Sequence, residues 1–136
     1  MSFPLVSIII NCHNGEKYLS KCIKSILNQT FKNFEIIFWD NCSKDRSKKI
    51  ISQFNDKRIK KYFSKKFHNL YLARNLAIKK SKGAYVSFLD VDDIWKKNKL
   101  SEQVKILKKN KNIKIIYTNY ILNNEKKKIK FLKYKT

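Results

Sequence analysis

Three carboxylates lie within four residues in the second half of this 136-residue chain. Asp90, Asp92 and Asp93 directly follow residues 84–89, an apolar run that predicts a buried β-strand. Such closely spaced negative charges repel one another unless a cation is bound, and their hard oxygen atoms suit Mg²⁺ or Mn²⁺. The cluster therefore favours a divalent metal site that carries a diphosphate, and a solvated acidic turn before the next helix is the alternative.

Strand and helix patterns alternate on both sides of this cluster and predict the scaffold that holds it. Short apolar runs indicate strands, and apolar residues spaced three or four apart indicate helices. Strands are predicted at residues 5–10, 34–39, 59–63, 84–89, 113–120 and 129–132. Helices are predicted at residues 18–27, 50–54, 69–77 and 100–107.

Polar residues and one glycine are predicted to set the helix boundaries. Asn14 can cap the first helix, and either Ser43 or Asp45 can cap the second. Asn69 is predicted to open the third helix and Gly83 to stop it.

The repeated strand–helix alternation predicts an α/β fold, in which a mainly parallel central sheet lies between two helical layers. Residues 1–136 are expected to form one domain, with a Lys-rich tail over about residues 126–136. In such folds ligands bind beyond the carboxyl ends of the strands, where the strand order reverses.

Three polar clusters follow predicted strands and are expected to meet at that edge of the sheet. A nucleotide whose diphosphate is bridged by a metal would use all three of them. Neither G-x-G-x-x-G after the first strand nor a P-loop motif is present, which disfavours a Rossmann dinucleotide site and a P-loop. The clusters are Asn11-Cys12-His13-Asn14, Asp40-Asn41-Cys42-Ser43 and Asp90-Val91-Asp92-Asp93.

The formal net charge of +22 could indicate a nucleic-acid partner, but the kind of basic residue argues against it. Arg supplies only three of the 32 basic residues, whereas recognition of base edges and phosphates favours Arg. Most of the charge is interpreted as solvated Lys on helix faces. A functional basic surface remains the alternative, with an anionic membrane as candidate partner alongside RNA.

Cys12, Cys22 and Cys42 are odd in number and lack C-x-x-C spacing, so they predict neither a disulfide framework nor a zinc site. They are interpreted as small core residues of a protein in a reducing cytoplasm, with a peripheral position at the inner membrane face as the alternative location. No signal peptide or membrane-spanning segment is predicted.

Three blocks of the sequence resemble family 2 glycosyltransferases in their order and spacing, over roughly residues 4–100. The resemblance implies a Rossmann-like GT-A fold, a nucleotide-diphosphate sugar such as a UDP- or GDP-sugar, and a divalent metal, Mn²⁺ or Mg²⁺. It also implies transfer to a saccharide or lipid-linked acceptor in cell-envelope polysaccharide synthesis. The blocks are VSIIINCHNGEKYL at residues 6–19, SILNQTFKNFEII at residues 25–37, and ARN through GAYVSFLDVDD at residues 73–93.

Positions shared with the family carry its site roles onto this chain. Asn11 and His13 would flank the nucleoside, and Asp40 with Asn41 matches paired acids, one of which meets the base. Arg74 would lie near the nucleotide, and the later D-x-D would meet ribose, metal and diphosphate. The resemblance thus implies the substrate-binding residues Asn11, His13, Asn14, Asp40, Asn41, Arg74, Asp90, Val91 and Asp92, and the metal ligands Asp90, Asp92 and Asp93.

Two departures from the family pattern limit these expectations. Asn41 replaces an acid, and His13 replaces the common Tyr, so base identity stays open. No Asp follows Asp93, and only Glu102 and Glu125 remain as later acids for the general base of an inverting transfer. We therefore expect a donor-binding half that is truncated before the acceptor-binding half. The rival interpretation is a non-catalytic basic α/β module that binds nucleic acid or an anionic membrane.

Overall fold

The computed structural model describes residues 5–118, 120 and 121, in which four strands alternate with four helices. The chain divides into two compact units, one ending at Ser101 and one beginning at Glu102. In chain order the elements are β1 (Val6–Cys12), α1 (Leu19–Leu27), β2 (Phe34–Asp40), α2 (Ser47–Ser52), β3 (Ile59–Phe63), α3 (Leu70–Ile78), β4 (Tyr85–Phe88) and α4 (Lys99–Lys109).

The four strands form one parallel sheet in the order β3-β2-β1-β4, which confirms the predicted α/β class. Ile9 at the centre of β1 pairs with Ile37 on one side and with Phe88 on the other. The chain moves outward from β1 to β3 and then returns across the sheet to β4. With right-handed crossovers, this return places α3 on the face opposite α1 and α2.

The core lies around β1 and β2, whose residues are buried with few exceptions. Both strands are buried on both faces, because helices cover each side of a parallel sheet. On one face, Ile9 and Ile37 pack with Ala77 of α3. Each isoleucine side chain contributes about 1.5–3 kcal/mol when fully buried. These two strands therefore fix the positions of the loops that follow them.

A hydrogen-bonded network closes the amino-terminal edge of the sheet. The Ser7 hydroxyl donates to Glu35 Oε1 at 2.6 Å, and the Lys82 amide donates to the same oxygen at 2.7 Å. Gly83 N–H donates to Ser7 Oγ at 2.8 Å. A Cβ atom at Gly83 would lie 2.5 Å from the Ser7 backbone nitrogen. Gly83 is therefore required where the chain passes close to β1.

Helix α3 corrects one boundary predicted from the sequence. The helix ends at Ile78 and does not continue to Gly83, which acts through close backbone approach instead. The other prediction for this helix is confirmed, because the Asn69 side chain accepts a hydrogen bond from Leu72 N at 2.9 Å. Gln29 fixes the start of α4, accepting from Leu100 N at 3.0 Å.

Strand β4 and the segment after α4 differ from their predictions. Strand β4 was expected to be buried, but Tyr85, Val86 and Phe88 are exposed, because β4 is the last strand at its side of the sheet. Residues 113–118 and 120 form no strand, since no neighbouring strand pairs with them within the described part of the chain. The strand predicted at residues 129–132 and the Lys-rich tail lie outside the described residues.

Helices of the described residues are all too short or too polar to cross a lipid bilayer.

Candidate functional site

The strand order reverses at β1, because β2 and β3 lie on one side of it and β4 on the other. Ligands of open α/β sheets bind at this reversal, beyond the carboxyl ends of the strands. The loops after β1, β2 and β4 are the three polar clusters found in the sequence. The structure joins them through specific contacts.

The acidic exit of β4 is a turn, in which Asp93 N–H donates to Asp90 O at 3.0 Å. Arg74 from α3 donates to Asp90 Oδ1 at 2.7 Å, so one carboxylate already has a cationic partner. Asp90, Asp92 and Asp93 are all exposed. Partial burial, together with the charges of Asp92 and Asp90, raises the pKa of Asp93 above its usual value.

The predicted three-carboxylate metal set is not preformed. Within residues 5–118, 120 and 121, no three or more His, Cys, Asp or Glu side chains are grouped so that they could hold a metal. Asp90 and Asp92 still offer exposed oxygen ligands at the sheet edge. Two carboxylates fit a divalent ion whose remaining ligands are diphosphate oxygens and water. The donor set thus fits a metal that arrives with a nucleotide.

Val91 packs against the loop that follows β1. A Cβ atom added to Gly15 would lie 2.9 Å from Val91 Cγ2 and 2.8 Å from Cys12 Sγ. Only glycine leaves room for this contact.

The Cys22 thiol of α1 donates to Asp90 O in the acidic turn at 3.7 Å. Burial, with a smaller contribution from Asp93, raises the pKa of Cys22 to about 12, so this thiol remains protonated and inert.

Asn14 joins the loops after β1 and β2 and does not cap α1, which corrects the sequence prediction. Helix α1 begins at Leu19 and has no side-chain cap. Asn14 instead adopts a left-handed conformation with φ of 53°. Its backbone N–H donates to Ser43 Oγ at 2.9 Å, and its side-chain Oδ1 accepts from Lys44 N at 2.8 Å. Asn tolerates this conformation better than most residues.

A second set of hydrogen bonds between these two loops was missed by the sequence analysis. Gly15 N–H donates to Ser47 Oγ and Glu16 N–H donates to Asp45 Oδ2, each at 2.9 Å. Asp45 Oδ1 also accepts from Ser47 N, the first residue of α2, although Arg46 occupies the N-cap position. The D-x-S pattern at residues 45–47 was the available signal.

Asp40 is fully buried at the end of β2. Its Oδ2 accepts from Ser43 N at 3.1 Å and lies 3.8 Å from Lys48 Nζ. Its Oδ1 is buried without a hydrogen-bond partner, as is Asn11 Nδ2 at the end of β1. Buried polar atoms of this kind are costly and mark places where a ligand or water completes the bonding.

Asn41 anchors the loop between β3 and α3. Its Nδ2 donates to His68 O at 2.7 Å, and its Oδ1 accepts from His68 N at 3.0 Å. These two bonds also define the orientation of the amide. Since both polar atoms already bind this loop, a base contact by Asn41 would have to use the second lone pair of Oδ1 or the second N–H of Nδ2.

His13 is an exposed residue of the loop after β1, and it contacts the loops that follow β2 and β3. Its Nδ1 donates to Asn41 O at 2.9 Å, and its ring meets Phe67 edge to face at a centroid distance of 4.8 Å. Nε2 is left as an acceptor, 3.3 Å from Asn14 Nδ2. Phe67 is a further residue that the sequence analysis did not find, because it lies far from His13 in the chain.

Direct contacts thus connect most of the predicted residues in two groups. One contains His13, Asn14, Asn41 and their loops, and the other contains Arg74 with Asp90. The Gly15–Val91 contact joins the β1 exit to the β4 exit. The arrangement offers an aromatic surface, buried polar atoms and an exposed acid–guanidinium pair at one edge of the sheet.

Comparison with known proteins identifies relatives for nearly the whole chain. The family described as glycosyl transferase family 2 matches residues 7–134. The Escherichia coli protein WfgD, named as a UDP-Glc:α-D-GlcNAc-diphosphoundecaprenol β-1,3-glucosyltransferase, is 41% identical over 121 residues. The alignment covers 88% of this chain and 47% of WfgD. The putative teichuronic acid biosynthesis glycosyltransferase TuaG of Bacillus subtilis is 37% identical, over 76% of this chain and 42% of TuaG.

Solved structures agree in fold. TarS of S. aureus in complex with UDP-GlcNAc superposes with a TM-score of 0.71 at 27% identity, over 76% of this chain and 31% of that one. A mannosyltransferase of Pyrobaculum calidifontis, in complex with GDP-Man and Mn²⁺, has the same TM-score of 0.71 at 20% identity, over 79% of this chain and 33% of that one. The second likeness is one of fold alone. The chain spans less than half the length of these curated relatives and about a third of these structures.

Proposed function

The chain belongs to glycosyl transferase family 2, and from this premise we propose that its carboxyl edge binds a nucleotide-diphosphate sugar for glycosyl transfer. The observation that carries the proposal is the Arg74–Asp90 pair, held at 2.7 Å where the strand order reverses. An acid and a guanidinium side by side suit a metal-bound diphosphate, because the acid can bind the cation and the guanidinium the phosphate oxygens.

The nucleoside would lie over the loops that follow β1 and β2. His13 and Phe67 supply aromatic surface for the base. Asn11 and Asp40 supply the buried atoms without partners, Nδ2 and Oδ1, toward which ligand groups or ordered water can bond. Asn14 and Asn41 hold these loops in place through the contacts described above.

The diphosphate would lie at the β4 exit. Asp90 and Asp92 would hold the divalent ion, with Asp93 beside them, and Val91 keeps the turn against Gly15. A bound ion would offset the charge that develops on the departing nucleoside diphosphate. Arg74 would contribute positive charge at the same place while its ion pair with Asp90 is kept.

Transfer also requires a group that activates the acceptor. An inverting transfer needs a carboxylate that removes the proton of the acceptor hydroxyl. Beyond Asp93 the candidates are Glu102, exposed on α4, and Glu125, outside the described residues. The names of two relatives mention α-D-GlcNAc-diphosphoundecaprenol and teichuronic acid biosynthesis, and in keeping with them we propose a saccharide or lipid-linked acceptor for this chain.

Calorimetric titration of the chain with UDP and GDP, each with and without Mn²⁺, tests the donor site. We expect binding of at least one nucleotide to depend on Mn²⁺. Asp92→Asn should weaken that binding about 10-fold or more, because an ionised ligand is worth about 1.5–3 kcal/mol. Thermal denaturation should show the same loss as a smaller rise in Tm with nucleotide and Mn²⁺.

Glu102→Gln is the matched control, since it also removes one exposed carboxylate but belongs to α4 and not to the turn after β4. It should bind nucleotide and Mn²⁺ as the parent does. Absence of binding by every nucleotide tested, or an Asp92→Asn variant with unchanged affinity, would refute the proposed donor site.

A further inference from the structure

The chain between β3 and the β4 exit carries basic charged side chains only. Residues 59–88 contain eight basic residues and no Asp or Glu. The rest of the chain contains all ten acidic residues. Acid-free basic stretches attract anionic partners and do not repel them at any point along their length.

Exposed apolar side chains accompany this charge at the junction of β3 and α3. Phe67 is 61% exposed, Leu70 50% and Tyr71 79%. Lys65 and Lys66 precede them and are also exposed. We call residues 65–71 the junction segment. Water contact with so many large apolar groups is unfavourable, and such a patch commonly marks an interaction surface.

The fold fixes how the junction segment is presented. Ala73 and Ala77 are the buried residues of α3, and helical geometry places Tyr71 on the opposite side of the helix from Ala73. The preceding loop is held by the two bonds between Asn41 and His68. The segment is therefore held in place by the sheet, with its apolar side chains and lysines outward.

We propose that the junction segment docks on an anionic phospholipid surface. The Tyr71 and Leu70 side chains enter the boundary between headgroups and acyl chains, while Lys side chains bind the anionic headgroups. A second copy of the chain is a poorer occupant, because two molecules of charge +22 repel each other. Single-stranded nucleic acid could stack on Phe67 and Tyr71, but it gives no use for the exposed Leu70.

Docking at this place would bring the candidate site to the membrane, since Phe67 belongs to the junction segment and contacts His13. The inference itself does not depend on nucleotide-sugar binding. Vesicle binding can be present while nucleotide binding is absent, and the reverse also holds. The two proposals can therefore fail separately.

Co-sedimentation of the full chain with phosphatidylglycerol–phosphatidylcholine vesicles and with pure phosphatidylcholine vesicles tests the proposal. Binding should require phosphatidylglycerol and weaken as salt rises. Lys65→Gln with Lys66→Gln should reduce the partition coefficient roughly 30-fold, at about fivefold per lysine. Tyr71→Ser should reduce it about fivefold or more through lost apolar contact. Circular dichroism should show that each variant is folded.

Lys21→Gln with Lys24→Gln is the matched control. It removes the same charge from exposed positions of α1, on the opposite face of the sheet. Its partition coefficient should fall much less than that of the Lys65 and Lys66 pair. Equal losses in both pairs, or no binding to anionic vesicles, would overturn the proposal. So would binding of single-stranded RNA that exceeds vesicle binding and is lost in the junction variants.

Discussion

Asn41 stands where the family pattern has an acid, and its amide makes two bonds that a carboxylate could not make together. It donates to His68 O and accepts from His68 N. An ionised carboxylate only accepts, so it would face the His68 carbonyl without a proton to share. The departure from the pattern therefore has a structural reason at this residue. The amide holds the loop that carries Phe67 against His13.

Asn41→Asp should lower the free energy of unfolding by about 1–3 kcal/mol, the cost of leaving the part-buried His68 carbonyl without its donor. Urea denaturation measures this loss, and hydrogen exchange should show faster exchange in the loop before α3. Asn75→Asp, an exposed Asn on α3, is the control and should change stability little. A variant of unchanged stability that alters the preference among UDP, GDP and dTDP would instead show that Asn41 recognises the base.

At the scale of elements, the close approach of the α3–β4 connection to β1 aligns β4 with the sheet. Gly83 lies against the Ser7 backbone, and Glu35 accepts from both Ser7 and Lys82. The β4 strand has only four residues. The contacts at this edge support the register that pairs Val6 with Tyr85. The register in turn places the acidic exit beside the loop after β1.

Gly83→Ala should destabilise the chain by about 1–3 kcal/mol, the usual range for overpacking a close contact. The new Cβ atom would lie 2.5 Å from Ser7 N and 2.8 Å from Val6 C, and backbone atoms cannot rotate away. Chemical denaturation checks the loss. Ala84→Ser, next to Gly83 and exposed, should stay within about 0.5 kcal/mol of the parent. A Gly83→Ala variant as stable as the parent would mean that the approach to β1 is not tight.

The sequence allowed the parallel α/β fold and most element positions to be predicted, because alternation of apolar runs reports which residues are buried. Contacts between distant residues do not leave such a pattern. The exposure of β4 depends on which strand lies beside it in the sheet. Residues 113–118 have the composition of a strand, but no strand pairs with them among the described residues. Asn14 satisfies the rules for a helix cap, yet Ser43 and Lys44 compete for its hydrogen bonds.

The whole molecule combines 32 basic residues with ten acidic ones, so each carboxylate limits self-repulsion. Hydrogen bonds from the Arg58 side chain lower the pKa of Asp56, and burial opposes them only in part. Burial alone would raise the pKa of Asp45, but hydrogen bonds from Ser47 and Glu16 outweigh it and lower the value. A depressed pKa means that folding favours the charged carboxylate.

Stability should therefore be lost on acidification. The contribution of Asp45 and Asp56 is fully present above the unfolded value, about pH 4, and disappears as pH falls through their lower folded values. Urea midpoints measured between about pH 6 and pH 2 should fall below pH 4. Asp56→Asn should flatten part of this decline, whereas Glu102→Gln should leave it unchanged. If urea midpoints of the Asp56→Asn variant fell below pH 4 as steeply as those of the parent, Asp56 would not contribute to the loss of stability in acid.

The central position of β1 also has a consequence for synthesis of the chain. Among the four described strands, β1 leaves the ribosome before the others, whereas its partner on one side, β4, emerges only after β2 and β3. Until Phe88 has been translated, one edge of a strand containing Ile8, Ile9 and Ile10 has no strand beside it. An unpaired apolar edge is a template for intermolecular pairing. Nascent chains that stall between β3 and β4 are therefore the species that we expect to aggregate or to recruit chaperones.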